Sequence, residues 1–549
     1  MIAKQGSHFD VILLTAEYYD DHPLSPAGII ARVLDAAGFS VGIIEKPLTG
    51  EDVARLGPPR LFFGVTAGSI DSMLNNYTPL KKERTADAHS SVTAMPDRAV
   101  IAYCNRIKER FRGIPIVIGG IEASLRRFAH YDYWDNAVRR SILFDSRADI
   151  LVYGSGEKQV IEIAERLRDG RDLTGIEGTC RKSRELPPSF ELLPSFQEVT
   201  ADKIQFCRMQ AGFSNRKNLA QEYENNYLLQ YRSPQYTTGY LDWIYSLPYT
   251  RELHPDSLLA MARFSVVTHR GCVGRCSFCS LALHQGDRII SRSEESILAE
   301  IKRLTGYPGF KGYIDDLGGP SANMYGMDCG RTCSGWCLSC SDLDRSHQRL
   351  IALLKKARAV PGVKKVFVRS GIRYDLAMAS EEYLKELSAH HISGSLKIAP
   401  EHFSPGVLTL MNKDNSRFDE FVKLFNSLNR DTRQSLRHYL MIGHPGDDEE
   451  GVKILMEKVR ALQNIEQFQV FTPTPMSVSS CMYWTGVNPF TLEKVRVVRD
   501  YRTKKKMKRM LLGLREKRRS GARAVPRQGA KRSGVGQRIR GRDFPPRCK

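Results

Sequence analysis

The sequence predicts an α/β protein in which an N-terminal open parallel sheet is followed by a partial (β/α)6 barrel. Three observations carry that prediction. Short apolar runs alternate with amphipathic stretches through the first part of the chain, the mark of a parallel sheet covered by helices. The alternation resumes from Arg263 to Thr472 in six units. Finally, 549 residues at 42% hydrophobic and 26% charged exclude a wholly disordered chain. At ~100–200 residues per domain, they suffice for two or three domains with large buried cores.

In the first part, Asp10–Thr15, Ser40–Glu45, Leu61–Val65, Pro115–Gly119 and Asp149–Tyr153 are predicted strands. Pro26–Ala37, Asp97–Arg112 and Glu157–Arg168 are the helices between them. Pro26 suits a first helical turn, Asp97 an N-cap and Gly38 a C′ stop. Several strands end at or near glycine (Gly64, Gly119-Gly120, Gly154-Ser155-Gly156). Open α/β sheets place a ligand crevice there, and tight turns need glycine there too. Gly170 to Leu253 show no clean period but are rich in tyrosine (Tyr223, Tyr227, Tyr231, Tyr236, Tyr240, Tyr245, Tyr249). Interleaved aromatics and arginines can stack bases. The simpler reading is a linker tied onto both neighbouring domains by buried phenol rings.

In the second run the predicted strands are Phe264–His269, Gly312–Asp316, Lys365–Arg369, Ser395–Ala399, Arg437–Ile442 and Gln467–Phe471. Helices between them include Glu294–Leu304, N-capped by Ser293, and Ser346–Ala357. Barrel chemistry sits at the strands' C-terminal ends. The expected layout is an α/β domain over 1–190, a Tyr-rich linker over 191–260, the barrel over 261–490, and a basic helix with a disordered tail over 491–549.

The net charge of +21 would ordinarily point to nucleic acid. It is lopsided. Residues 501–549 hold 19 Lys or Arg against 2 Asp or Glu, leaving 63 against 59 in the first 500. The body is nearly neutral, and any contact with nucleic acid is expected through the tail. No apolar run approaches the ~20 residues of a membrane span, and Met1–Asp10 has no signal-peptide core. A cytoplasmic protein without membrane partners is expected.

Seven of the 12 cysteines fall in two clusters. In a reducing compartment, close clusters suggest metal before disulfides. The first, Cys272-x3-Cys276-x2-Cys279 with Phe278 before its last cysteine, leaves the first barrel strand. Three thiolates from one loop cannot close a zinc site alone. They can hold three irons of a four-iron cluster and leave the fourth open. The second cluster, Cys329-x3-Cys333-x3-Cys337-x2-Cys340, follows the second barrel strand. It can hold zinc or a second iron–sulfur cluster, or be a loop without metal. Cys104, Cys180, Cys207, Cys481 and Cys548 read as ordinary thiols.

The first loop, in that place, resembles the signature of the radical S-adenosylmethionine (SAM) superfamily. The resemblance implies a 4Fe–4S cluster on Cys272, Cys276 and Cys279, shielded by Phe278, and SAM bound to the open iron. Reductive cleavage would give a 5′-deoxyadenosyl radical, with the electron from a flavodoxin- or ferredoxin-like donor protein and a substrate that is unknown. Gly318-Gly319 fits the superfamily's glycine pair beside the SAM amino group, although the usual acidic residue after it is Pro320. Ser370 ends strand three, Pro445-Gly446 lies in the turn after strand five, and Thr472 ends strand six; all three places border the cofactor in the superfamily. Arg373, Tyr374 and Asp375, with Lys397, Glu401 and His402, are strand-end candidates for substrate or proton handling. A Lys/Glu/His group there does either acid–base work or holds loops by ion pairing.

Finer phrases narrow the resemblance. His130-Tyr131-Asp132-Tyr133-Trp134 leading to Arg139-Arg140-Ser141-Ile142-Leu143, Ile244-Tyr245-Ser246-Leu247-Pro248-Tyr249, and Lys397-Ile398-Ala399-Pro400-Glu401-His402 together resemble the YgiQ family of radical SAM proteins. The N-terminal domain is similar in layout to cobalamin-binding domains. Their D-x-H-x-x-G motif starts correctly at Asp20 and His22, but Ser25 stands in place of its glycine, so His22 is expected to be a loop or helix-start residue. Two rivals remain. A tRNA- or ribosome-modifying methylthiotransferase would need three cysteines in the N-terminal domain, which offers Cys104 and Cys180, with Cys207 in the linker. A non-catalytic iron–sulfur or zinc protein binding RNA would not need the Gly318-Gly319 and Pro445-Gly446 turns.

Overall fold

The predicted strands of the first part come together in one 10-stranded sheet. The computed structural model describes residues 2–511 except 7, 85–94, 332, 334 and 463. The tail beyond 511, with Cys548 and 13 of the 19 Lys or Arg of residues 501–549, lies outside the described residues. Val11–Thr15, Val41–Glu45, Phe62–Thr66, Ile116–Gly119 and Ile150–Val152 pair in parallel, with Val11–Thr15 between Val41–Glu45 and Phe62–Thr66. Helices cover both faces, so these strands read as continuous apolar runs rather than as alternation. Pro26–Ala36 starts as expected, with Ser25 Oγ accepting the Gly28 N–H, and Gly38 follows it at φ +87°.

Two expectations are corrected. Asp97 does not cap its helix, which runs Ala99–Arg110 behind a left-handed Arg98. The Asp97 carboxylate accepts instead from Asn76 and Tyr77, at 2.8 and 2.7 Å. Tertiary acceptors serve the helix's free N–H groups, Ser72 Oγ for Ala99 and Glu122 Oε1 for Val100. Nor is the first part of the expected 191–260 linker, residues 191–230, a linker. Thr179–Ser183 pairs antiparallel with Ile150–Val152 and continues the sheet through Asn226–Gln230 and Leu219–Tyr223 to an edge at Glu191–Leu193. Their period was hidden because Gln221 and Gln230 are fully buried. Gln221 Oε1 accepts the Ala129 N–H and Gln230 Oε1 accepts Arg127 Nε, so neither amide is an unpaired burial. The phenols are used as expected: Tyr236 donates to Ser155 O at 2.9 Å, and Tyr245 and Tyr249 are buried.

In the second half, parallel pairings follow one another in chain order. Val266–Val267 pairs with Leu317–Gly318, and Tyr313–Ile314 with Lys365–Val366. Ile372 bridges to Ile398, and Ser395–Glu401, Ser435–Ile442 and Ile465–Val470 form a three-stranded ladder. Glu294–Leu304, Gln348–Ala359, Glu381–His390, Phe418–Leu428 and Glu449–Ala461 intervene.

The two halves share one core. Val407, Met411, Met441, Phe471 and Cys481 pack into the same apolar cluster as Phe63, Ile118, Tyr131 and Phe206. Residues 501–511 are helical, with Met507 and Leu511 buried against Leu440, Ile442 and Val452. Lys504 is 2% exposed. Its Nζ donates to the Tyr483 hydroxyl at 2.7 Å and lies 5.3 Å from the centre of the Tyr133 ring. Among the described residues no helix is long and apolar enough to cross a membrane.

Candidate functional site

The cysteine loop is held from three sides. Cys272 N–H donates to Gly286 O, Ser277 N–H to Met411 O, and Asn412 Nδ2 to Arg275 O. Ser479 N–H reaches Ser277 O, and the Phe278 ring meets His444 edge-on at 6.2 Å. Burial pushes the Cys272 thiol up, and burial with Cys276 nearby pushes Cys279 up to about 12. Thiolates in such a place need a cation, which suits a metal-bearing loop. Arg373 supplies positive charge: its Nη1 donates to Cys276 Sγ at 3.6 Å while its guanidinium is paired with Asp375. All three thiols are free, and among the described residues no three His, Cys, Asp or Glu groups are drawn together at metal-binding geometry.

A cavity of about 410 Å³ lies between the two halves, lined by His269, Arg270, His284 and Gln285 on either side of this loop but by none of its three cysteines. One wall is the carboxyl end of the N-terminal sheet, including Gly64, Thr66, Gly119 and the Gly154-Ser155-Gly156 turn. The other carries Gly318, Gly319 and Ser370, with Asp316, His269 and His284. A Cβ at Gly319 would sit 2.5 Å from the His269 ring, and one at Gly318 would sit 3.3 Å from Ser370 Oγ. His269 Nε2 is buried without a partner among the described residues, against this bare backbone. The Ser370 hydroxyl and N–H both donate to Asp316. Three of the six expected cofactor residues therefore share this cavity. Pro445, Gly446 and Thr472 do not line it; Gly446 donates its N–H to Arg496 O, at φ +90°.

The strand-end candidates divide. Lys397 and Glu401 share one face of Ser395–Glu401, whose residues alternate half-buried and buried. Glu401 has φ +66°, uncommon for a residue with a side chain, and desolvation raises its carboxyl to about 7. His402 is turned away from them. It is fully buried, with Nε2 3.4 Å from Asp447 Oδ1 and Nδ1 accepting the Ser404 N–H. Asp447 in turn accepts the Gly443 N–H at 2.7 Å, so His402 positions the turn after strand five. His22 is also occupied: its Nε2 faces Arg263 O at 3.0 Å and its Nδ1 accepts the Leu24 N–H.

The second cysteine loop leans on the first. Cys272, Cys337 and Leu338 pack on one small apolar cluster with Val273 and Met324, and Arg275 stacks over Trp336 at 5.4 Å. Arg216 and Arg288 both donate to Cys333 O. Two features had no signal in the sequence. Cys207 and Cys481 lie 3.8 Å apart, sulfur to sulfur. His284, just past the cysteine loop, has Nδ1 3.0 Å from Ser124 Oγ.

Residues 1–265 match the description radical SAM N-terminal, 266–459 the radical SAM superfamily, and 466–519 a domain of unknown function. A UPF0313 protein of Methanosarcina mazei is 44% identical over 93% of each chain. One from Clostridium botulinum is 44% identical over 92% of this chain and 85% of its own. The solved radical SAM methyltransferase TsrM of Kitasatospora setae, with cobalamin and a 4Fe–4S cluster bound, is similar over 86% of this chain and 75% of its own. Its identity is 18% and its TM-score 0.51, which is a likeness of fold. With a radical SAM domain at its centre and such identity over nearly the whole of both chains, this chain belongs to the UPF0313 family.

Proposed function

We propose that the protein is a cytoplasmic radical SAM enzyme, of YgiQ type on its His130–Trp134, Ile244–Tyr249 and Lys397–His402 phrases. Its second half is read as a partial (β/α)6 barrel. Cys272, Cys276 and Cys279 would hold a 4Fe–4S cluster, with SAM against Gly318, Gly319 and Ser370. When bound, cluster and SAM supply one-electron cleavage of the sulfonium. The chain's own residues do the rest. Bare backbone at Gly318-Gly319 admits the ligand, Asp316 fixes Ser370, Arg373 offsets thiolate charge, and Phe278 with His444 keeps water off the loop. Lys397 and Glu401 face the reacting side and handle substrate or its proton.

The cavity carries this reading, because it joins the glycine pair to the strand ends of the other domain. Its N-terminal wall is apolar. Leu13, Ile30, Val65, Ile118 and Val152 offer apolar side chains, while Gly119, Gly154 and Gly156 bring backbone close. Anaerobic reconstitution with iron and sulfide, then dithionite and SAM, tests the enzyme. A SAM-perturbed EPR signal with 5′-deoxyadenosine supports it; neither from an intact cluster overturns it.

A second metal on Cys329, Cys333, Cys337 and Cys340, zinc or iron–sulfur, is favoured by the packing of that loop on Cys272 and gives an electron donor protein a place to approach. Residual metal in a Cys272/Cys276/Cys279→Ala triple variant supports it, and none removes it. The methylthiotransferase rival loses ground, since Cys104 and Cys180 are buried singly and Cys207 is turned toward Cys481. Nucleic-acid binding through the tail is tested by deleting residues 512–549 and measuring salt-sensitive RNA binding.

A further inference from the structure

We propose that Ser479 is a positioning residue for the iron–sulfur cluster, and that the helix carrying it, Val478–Thr485, clamps the loop of Cys272, Cys276 and Cys279. The inference rests on the 4Fe–4S reading above and gives a role to the stretch of unknown function over 466–519.

Ser477 caps this helix, its side chain accepting the Ser480 N–H. Ser479 lies in the first turn, where a backbone N–H has no partner within the helix. That N–H donates instead to Ser277 O at 3.0 Å, between Cys276 and Cys279. The Ser479 hydroxyl meets His444 Nε2 at 2.6 Å, and the other ring nitrogen, Nδ1, lies 2.8 Å from Pro445 O. A carbonyl only accepts, so the imidazole proton is on Nδ1, Nε2 keeps its lone pair, and the serine hydroxyl donates. Burial lowers His444 to about 3, which keeps the ring neutral. Both side chains are fully buried, so removing either leaves a polar atom of the other unpaired.

The bond matters because of what the His444 ring touches. Phe278, next to Cys279 in the chain, meets it edge-on at 6.2 Å, and Phe471 does so at 5.1 Å. The turn that carries His444 is itself closed, since Asp447 accepts the Gly443 N–H at 2.7 Å. Ser479 therefore grips the cysteine loop twice, by its own N–H on Ser277 and through His444 on Phe278. The helix is anchored in turn to the N-terminal half. Gln210 Nε2 donates to Met476 O at 3.1 Å, and Cys481 lies 3.8 Å from Cys207, sulfur to sulfur. Outer hydrogen bonds of this kind keep metal ligands oriented, and losing one costs roughly 10–100-fold in metal affinity.

The test uses full-length protein reconstituted anaerobically with iron and sulfide. It reads the rate of iron loss to a ferrous chelator and the EPR spectrum of the reduced cluster. Ser479→Ala, and His444→Phe, which keeps a ring but removes Nε2, should each lose iron roughly 10–100-fold faster than the parent, with altered g-values. The double variant should lose it no faster than either single variant, because both remove the same bond. Ser480→Ala is the control: its hydroxyl donates to Thr474 O at 2.6 Å, so the change loosens the same helix without touching His444, and its iron loss should match the parent. Parent-like iron loss and spectra in Ser479→Ala and His444→Phe overturn the assignment. So does additive loss in the double variant, or equally fast loss in Ser480→Ala. A parent that takes up no iron, or a Cys272/Cys276/Cys279→Ala triple variant that gives the same cluster spectrum, overturns the 4Fe–4S reading instead. Circular dichroism of each variant separates misfolding from loss of the clamp.

Discussion

Replacing Arg373 by methionine is expected to make the cluster harder to reduce. The guanidinium Nη1 is 3.6 Å from Cys276 Sγ, within hydrogen-bond reach of a thiolate in the loop. Two unit charges at that separation interact by about 5 kcal/mol at the effective dielectric of 20 that suits partly buried pairs. Two things reduce this. An electron added to a cluster spreads over several atoms farther away, and Asp375 on the same guanidinium offsets part of its field. About 2 kcal/mol remains, roughly 100 mV for a one-electron couple. Arg373→Met should therefore lower the midpoint potential by about that much, and Asp375→Asn should raise it by a similar amount. EPR-monitored redox titration of both variants, at iron content matched to the parent, reads the shift. Equal potentials in parent and Arg373→Met, or movement of both variants in one direction, would refute the electrostatic role of Arg373.

Other outcomes follow from local geometry. Gly319→Ala puts a methyl group 2.5 Å from the buried His269 ring, so SAM binding measured by equilibrium dialysis should fall roughly tenfold or more, and an unchanged affinity would remove Gly319 from the site. Diamide should oxidise Cys207 and Cys481 to an internal disulfide, since their sulfurs are 3.8 Å apart and the Cys481 thiol brings Cys207 down to about 7; peptide mapping that finds no such link in parent protein sinks this. Burial, with Lys81 and Arg499 nearby, lowers Lys504 to about 8 from an ordinary 10.5. The unfolded chain then binds more protons between those values, so stability rises with pH across that window, by up to about 3 kcal/mol. Thermal melts of parent and Lys504→Met at pH 7.5 and 9.5 should converge as pH rises, and parallel curves would contradict a lysine buried as a cation.

What was legible in the sequence was what local pattern determines. The five parallel strands are apolar on both faces, and all but Val11–Thr15 have glycine or proline near an end, so each announced itself within two residues. The Cys272–Cys279 loop was legible because its spacing is chemistry in itself. What escaped depends on partners far away in the chain. Leu219–Tyr223 and Asn226–Gln230 looked polar because Gln221 and Gln230 find donors on residues 127 and 129. Asp97 looked like a cap because nothing local shows that Ser72 and Glu122 serve that helix instead. Lys397, Glu401 and His402 looked like one group, yet the chain turns at the left-handed Glu401 and His402, just past the strand end, packs against Asp447. Cys207 and Cys481 are 274 residues apart, and no periodicity carries such a contact.

The helix over residues 501–511 bears on how the molecule is made. Domains fold in order during synthesis, the N-terminal one first. Tyr133 of that domain receives Lys504 only after the whole intervening chain has been translated, and Tyr131 waits almost as long for Trp484, on which it stacks at 4.9 Å. Until then the nascent N-terminal domain presents an aromatic face with nothing on it, a surface for chaperones and for unwanted association. A cofactor seated in the cavity between the halves, whose lining runs to Ser370, likewise waits until the second half has been translated. Truncations ending before that residue should accumulate with chaperones rather than as a stable first domain.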